Sequence, residues 1–326
     1  MKDDETIKIK NSSYSFKDSC NVFFFAVLAF FVVSLVFSFV ISRIAAHIGK
    51  TTSELLSLPF VVLLSSLLSE GAFFVVFIVY SKAVKKKVLA SSTLNQKIQL
   101  SKLFLIAIFS VCVLLCSINF TSMMNYVFSL FASPSSSGVI FTENFWQFLL
   151  SVFSLCLLPA ICEELVFRGI VLNGFLSKLK PSLAILLSAG LFALIHMSIY
   201  STVHQFIIGI LLGMIFYMTG KIVYCMAFHF VNNFAVVLIT YIFGNNFPLQ
   251  FSSWGAKEVM VTILVLLLGV AISVLFYFYL KKKGNKKKQP FVQQQDTKVN
   301  DKYSKVTLCL SSIFCFVFWL INSFGG

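Results

Sequence analysis

Ionisable side chains inside the long apolar runs of this chain are few, and most of them fall in three short stretches. Pro159-Ala-Ile-Cys-Glu163-Glu164-Leu-Val-Phe-Arg168-Gly169 carries two acids and a base, Phe192-Ala-Leu-Ile-His196 ends in an imidazole, and His229-Phe-Val-Asn232-Asn233 joins an imidazole to two carboxamides. An ionisable group in hydrocarbon costs a few kcal/mol unless it is paired or wet, so each one marks a functional site by default. On a helix, Glu164 and Arg168 are four apart in the favourable acid-before-base order and can neutralise each other as a buried pair. Glu163 then points about 100° away and needs another partner or a water. His229 and Asn233 are also four apart and project together.

A carboxylate, two imidazoles and a carboxamide can hydrolyse an amide. Withdrawn from bulk water, a carboxylate becomes a better general base near neutral pH, so Glu163 could deprotonate a water also held by His196. His229 and Asn233 could donate hydrogen bonds to the oxyanion formed when that water attacks a peptide carbonyl. A second arrangement uses Glu163, His196 and His229 as ligands for Zn²⁺ with an open water position. The sequence has no HExxH, the commonest zinc signature. The residues by themselves leave both arrangements open.

These side chains need elements that place them in a membrane. The chain has 326 residues, of which 58% are hydrophobic and 12% charged, about half the ~25% charge content of soluble domains. The apolar residues fall into runs long enough to cross a bilayer as helices, near 21–44, 55–80, 103–125, 145–177, 182–200, 203–219, 222–244, 258–280 and 305–325. The expected architecture is therefore an all-α polytopic integral membrane bundle of eight to nine transmembrane helices. It divides into 1–144 (about three helices and a Lys-rich cytoplasmic loop), 145–245 (the core with the polar stretches) and 246–326 (C-terminal helices with a basic cytoplasmic linker at 281–305). Run 145–177 is too long for one straight span, and Pro159 is expected to kink or split it.

The 26 Lys and Arg outnumber 12 Asp and Glu. They sit in short connections, which points to topology and not to nucleic acid. With the N-terminus cytoplasmic, all but Arg43, Lys50, Lys257 and the intramembrane Arg168 fall on the inner side, as the positive-inside rule requires. Measured from that boundary at ~1.5 Å per residue, Glu163 and His196 lie roughly 22 Å deep, Asn233 roughly 18 Å and His229 roughly 12 Å, so the groups can meet in one cavity. The first apolar run exceeds a signal-peptide core and is expected to be a retained span. The eight cysteines form no CxxC pair and read as small apolar packing residues. Glu70 is assigned no catalytic role, His47 and His204 are placed at the interface, and Gly209 and Gly213 mark close helix packing.

Together the motifs resemble the CAAX protease and bacteriocin-processing (CPBP, or Abi) family of intramembrane endopeptidases. Glu163-Glu164-Leu-Val-Phe-Arg168-Gly169 is similar to its EExxxR motif, Phe192 to His196 to its FxxxH, and His229 to Asn233 to its HxxxN. Gly209-Ile-Leu-Leu-Gly213 and Thr219-Gly220 resemble the glycine-rich helix and turn before the last motif. The resemblance covers roughly residues 145 to 240. It implies that Glu163 and His196 activate the water, that His229 and Asn233 form the oxyanion hole, and that Glu164 and Arg168 hold the site in shape. It favours a metal-free glutamate mechanism without cofactor, with zinc on Glu163, His196 and His229 as the alternative.

Relatives of this kind either trim prenylated CAAX proteins or process, or protect against, small peptides such as bacteriocins. The resemblance thus implies a hydrophobic peptide or lipid-anchored protein as substrate, with membrane lipids around it and no nucleic acid. The Lys-rich, Phe-rich, Arg-poor composition suggests an AT-rich bacterial genome and a multi-pass protein of the bacterial plasma membrane. Two other classes stand beside the peptidase: a non-catalytic immunity or scaffold protein of the same fold, and a proton-coupled transporter.

Overall fold

The computed structural model describes residues 14–85, 98–132, 142–244, 253–283 and 302–324. These residues form helices α1 (Phe16–Ile48), α2 (Thr52–Leu56), α3 (Pro59–Ala83), α4 (Leu100–Ser129), α5 (Phe145–Leu176), α6 (Pro181–Leu194), α7 (Ile199–Thr219), α8 (Ile222–Phe243), α9 (Ala256–Lys283) and α10 (Lys302–Phe324). There is no strand among the described residues. Eight helices are long and apolar enough to cross a membrane, and the apolar α6 is shorter. The protein is thus the all-α polytopic bundle its hydropathy demands. Large apolar side chains such as Phe39, Leu267 and Leu275 face outward, where hydrocarbon replaces water as the solvent. All eight cysteines are free.

One expectation changes and a second is narrowed. The run 182–200 is not one span, because α6 ends at Leu194 and the backbone turns through Met197 at φ 48° before α7 begins. Its 14 residues reach only ~21 Å. Helix α5, by contrast, neither splits nor stops at Pro159 but runs on for 32 residues. A π-helical stretch, Val152–Leu157, precedes the proline, and a second one spans Phe167–Leu172. Pro159 lacks an N–H, and its ring crowds the carbonyl four residues back, which is that of Leu155. The wider π turn makes room there, and Asn233 Nδ2 of α8 donates to the Leu155 oxygen at 2.9 Å. Of the basic linker, residues 284–301 lie outside the described residues.

One hydrophobic core runs from Tyr14 to Cys315, and α1 supplies its register. Ser15 caps α1 through a capping box with Asp18, and Asp18 Oδ1 also accepts from Tyr80 at the end of α3. Phe30 of α1 stacks on Phe73 of α3, so α1 and α3 are antiparallel. Phe16 meets Phe175, and Phe23 meets Phe167, so α1 and α5 are antiparallel too. Helices α3 and α5 therefore run side by side in the same direction.

The crossing of α1 over α5 depends on Gly174. A Cβ there would overlap Ser15 O and Ser19 Oγ, and Ser19 Oγ donates to Val171 O at 2.8 Å across the same crossing. Gly174→Ala is expected to cost at least the ~1 to 3 kcal/mol of an overpacked core, because a backbone atom must give way. A lower melting temperature and a smaller monodisperse fraction in detergent would show it; wild-type behaviour would mean that the two helices do not approach this closely.

Candidate active site

Helix α5 presents Glu163, Glu164 and Arg168, the turn after α6 presents His196, and α8 presents His229 and Asn233. The i,i+4 pair forms as its spacing requires. Arg168 Nη1 donates to Glu164 Oε1 at 2.9 Å, both side chains being almost wholly buried. Nη2 donates to the Gly209 carbonyl of α7 at 3.3 Å, and the guanidinium lies 4.7 Å above the Phe192 ring. Gly209 also lets α7 pack closely on α6, where a Cβ would sit 3.0 Å from Ala189.

Glu164 also orients a histidine. Its Oε1 lies 3.0 Å from His229 Nδ1, so a proton on Nδ1 leaves Nε2 for the cavity. His229 Nε2 is 3.8 Å from Glu163 Oε2, and His196 Nε2 is 4.0 Å from Glu163 Oε1. His196 Nδ1 lies 2.7 Å from the Phe192 carbonyl. A carbonyl only accepts, so Nδ1 carries the proton and Nε2 of the neutral ring keeps its lone pair. The Phe192 ring packs edge-on against both imidazoles. Both Nε2 atoms thus face one carboxylate at distances too long for direct hydrogen bonds and suited to a water between them. Glu163 Oε2 has no hydrogen-bond partner among the described residues.

Glu163, His196 and His229 are therefore brought together, with Glu164 and Arg168 behind them. Asn233 stands a step aside: one N–H of its amide goes to Leu155, and its Oδ1 is 3.5 Å from Asn232 Nδ2. An amide nitrogen carries two protons, and Leu155 takes only one of them. Although Glu163, His196 and His229 converge, no group of three or more His, Cys, Asp or Glu among the described residues is arranged to hold a metal ion.

Two ionisable neighbours went unassigned in the motifs. His204 on α7 is half-buried and lies within electrostatic reach of His196 and His229. Glu70 on α3 is buried, its Oε2 finds no partner among the described residues, and its carboxyl is within electrostatic reach of Glu163. Register explains the second case. Phe77 packs against Gly169, where a Cβ would meet its ring at 3.4 Å. From that contact Glu70 lies ~10 Å up α3 and Glu163 ~9 Å up α5, so the two carboxyls are level.

Glu70→Gln keeps the shape of the side chain and removes an unpartnered ionisable group. It is expected to raise the melting temperature by a few degrees, the equivalent of roughly 1 kcal/mol, and to displace the pH–rate profile of any activity that Glu163 supports. An unchanged profile and melting temperature would show that the two carboxyls do not interact.

Residues 145–235 match the family model described as type II CAAX prenyl endopeptidase Rce1-like. The match spans under a third of the chain and, for that stretch, supports a CAAX-type intramembrane protease at the level of the family. No curated protein and no solved structure matches the chain significantly. The matched stretch extends from α5 into α8 and holds Glu163, Glu164, Arg168, His196, His229 and Asn233, whereas Glu70, α9 and α10 lie outside it.

Proposed function

We propose that the protein is an intramembrane endopeptidase that hydrolyses a peptide bond with a water activated by Glu163. The observation that carries this reading is the convergence of His196 Nε2 and His229 Nε2 on the Glu163 carboxylate, at 4.0 and 3.8 Å. Glu163 takes a proton from the water as its oxygen attacks the carbonyl carbon, and His196 Nε2 accepts the water's other hydrogen bond. To donate from Nε2 while Nδ1–H is held by Glu164, His229 carries both ring protons, a charge flanked by the carboxylates of Glu163 and Glu164. With Arg168, these four groups sum to zero charge. The imidazolium and the free N–H of Asn233 then hold the oxyanion. Collapse breaks the C–N bond, and Glu163 returns its proton to the leaving amine.

The apolar outer faces of the helices and the family match support a membrane-associated substrate: a hydrophobic peptide such as a bacteriocin or signalling peptide, or a lipid-anchored CAAX-like protein. The charge asymmetry of the connections supports a cytoplasmic N-terminus, and the Lys-rich, Phe-rich, Arg-poor composition supports a bacterial plasma-membrane protein. The test is cleavage of a quenched-fluorescent library of hydrophobic peptides, with and without a prenylated cysteine, by the purified protein in detergent. Defined cuts that appear with wild type support the reading. Binding of a peptide without cleavage would favour the immunity or scaffold alternative.

A further inference from the structure

The C-terminal helix grips the turn that carries His196. The turn closes onto the end of α6, the His196 N–H donating to Ala193 O at 3.3 Å and the Met197 N–H to Leu194 O at 3.1 Å. Met197 then adopts φ 48°, a position at a helix end where glycine is normal because a side chain crowds the backbone. Besides the packing of the buried Met197 side chain in the core, something must hold the backbone there. Helix α10 does: Asn322 Nδ2 donates to the Met197 carbonyl at 3.1 Å, and Trp319 Nε1 donates to Thr202 Oγ1 at 2.8 Å. Thr202 Oγ1 in turn donates to Ser198 O at 2.6 Å, so both sides of the turn are tied to one face of α10. The helix is itself anchored, with Phe314 and Phe318 packed on Phe31 of α1 at 4.4 and 4.3 Å between ring centroids.

We infer that Asn322 and Trp319 are positioning residues that clamp the Met197 turn and so set the aim of His196 at Glu163. This rests on the peptidase reading above. His196 is the residue immediately before Met197, and its Nε2 stands 4.0 Å from the carboxylate, so relaxation of φ at Met197 swings the ring away from the water. Helix α10 lies outside the residues matched by the family model. The clamp is thus an addition to the core.

Full-length wild type, Asn322→Ala, Met197→Gly and the Asn322→Ala/Met197→Gly double variant, purified in detergent, test the clamp. Steady-state kinetics on a cleaved peptide should show kcat of Asn322→Ala lower by about 10- to 100-fold, with KM unchanged. The double variant should recover most of kcat, because glycine holds the positive φ without a clamp. Trp319→Phe, which keeps the packing and removes the donor, should show a smaller loss of the same kind, and serves if Asn322→Ala does not fold. Wild-type kcat in Asn322→Ala or Trp319→Phe, or no recovery in the double variant, overturns the proposal.

The chain has only 4 histidines, so the His196 ring can be followed by nitrogen NMR after ¹⁵N-histidine labelling, with assignment by His196→Asn. Its resonances should shift in Asn322→Ala and return in the double variant. Unchanged resonances overturn the clamp even if wild type cleaves no peptide, whereas shifting resonances without any turnover uphold the clamp and count against the peptidase.

Discussion

Glu163→Gln is expected to end peptide hydrolysis while leaving a folded, monodisperse protein. Glutamine fills the same volume and can still hydrogen-bond a water, but it cannot take a proton from it. A positioned general base contributes about 10²- to 10⁴-fold, so turnover should fall by about 10³-fold. The fold should tolerate the change because Glu163 makes no hydrogen bond among the described residues: its Oε2 is orphaned, and its approaches to the two imidazoles are 3.8 and 4.0 Å. Replacing the carboxylate therefore breaks no native hydrogen bond. Single-turnover kinetics beside a thermal melt check both halves. Normal cleavage by the folded variant would refute the role of Glu163.

The second large effect falls on stability. Arg168→Ala leaves Glu164 buried without its cation, and Glu164→Ala leaves Arg168 likewise; breaking such a pair costs about 3 to 5 kcal/mol. Either variant should lose most of its folded yield and melt well below wild type. Replacing both partners together, as Glu164→Leu/Arg168→Met, removes the stranded charge and should recover much of that yield. Turnover should not return, because His229 Nδ1 loses the carboxylate 3.0 Å away that fixes its ring. Detergent melts and cleavage rates for the three variants separate the two roles of Glu164. Wild-type stability in both single variants would show that the pair is not needed for folding.

Much of this arrangement is legible in the sequence because helical periodicity is local. Four-residue spacing alone puts Arg168 on Glu164, and depth arithmetic from the lysine-marked boundary brings Glu163 and His196 level. What escapes is set by contacts between distant segments. No spacing rule says that Pro159, instead of splitting α5, is accommodated by a π turn while Asn233 caps the freed Leu155 carbonyl. Helix propensity likewise does not announce that the run 182–200 breaks at Met197 in a left-handed conformation, held from a helix more than a hundred residues away. Glu70 was visible as a lone acid in an apolar span. Its place beside Glu163 required the register of α3 on α5, which the Phe77–Gly169 contact supplies.

The central claim is that the carboxylate of Glu163 activates the water. Its most direct test is the rate at which wild type cleaves a single identified peptide before and after exhaustive chelation, with Glu163→Gln run in parallel. Undiminished turnover by chelated wild type together with none by Glu163→Gln is the expected result. Loss of turnover on chelation, restored by added zinc, would instead make Glu163, His196 and His229 metal ligands and contradict the mechanism.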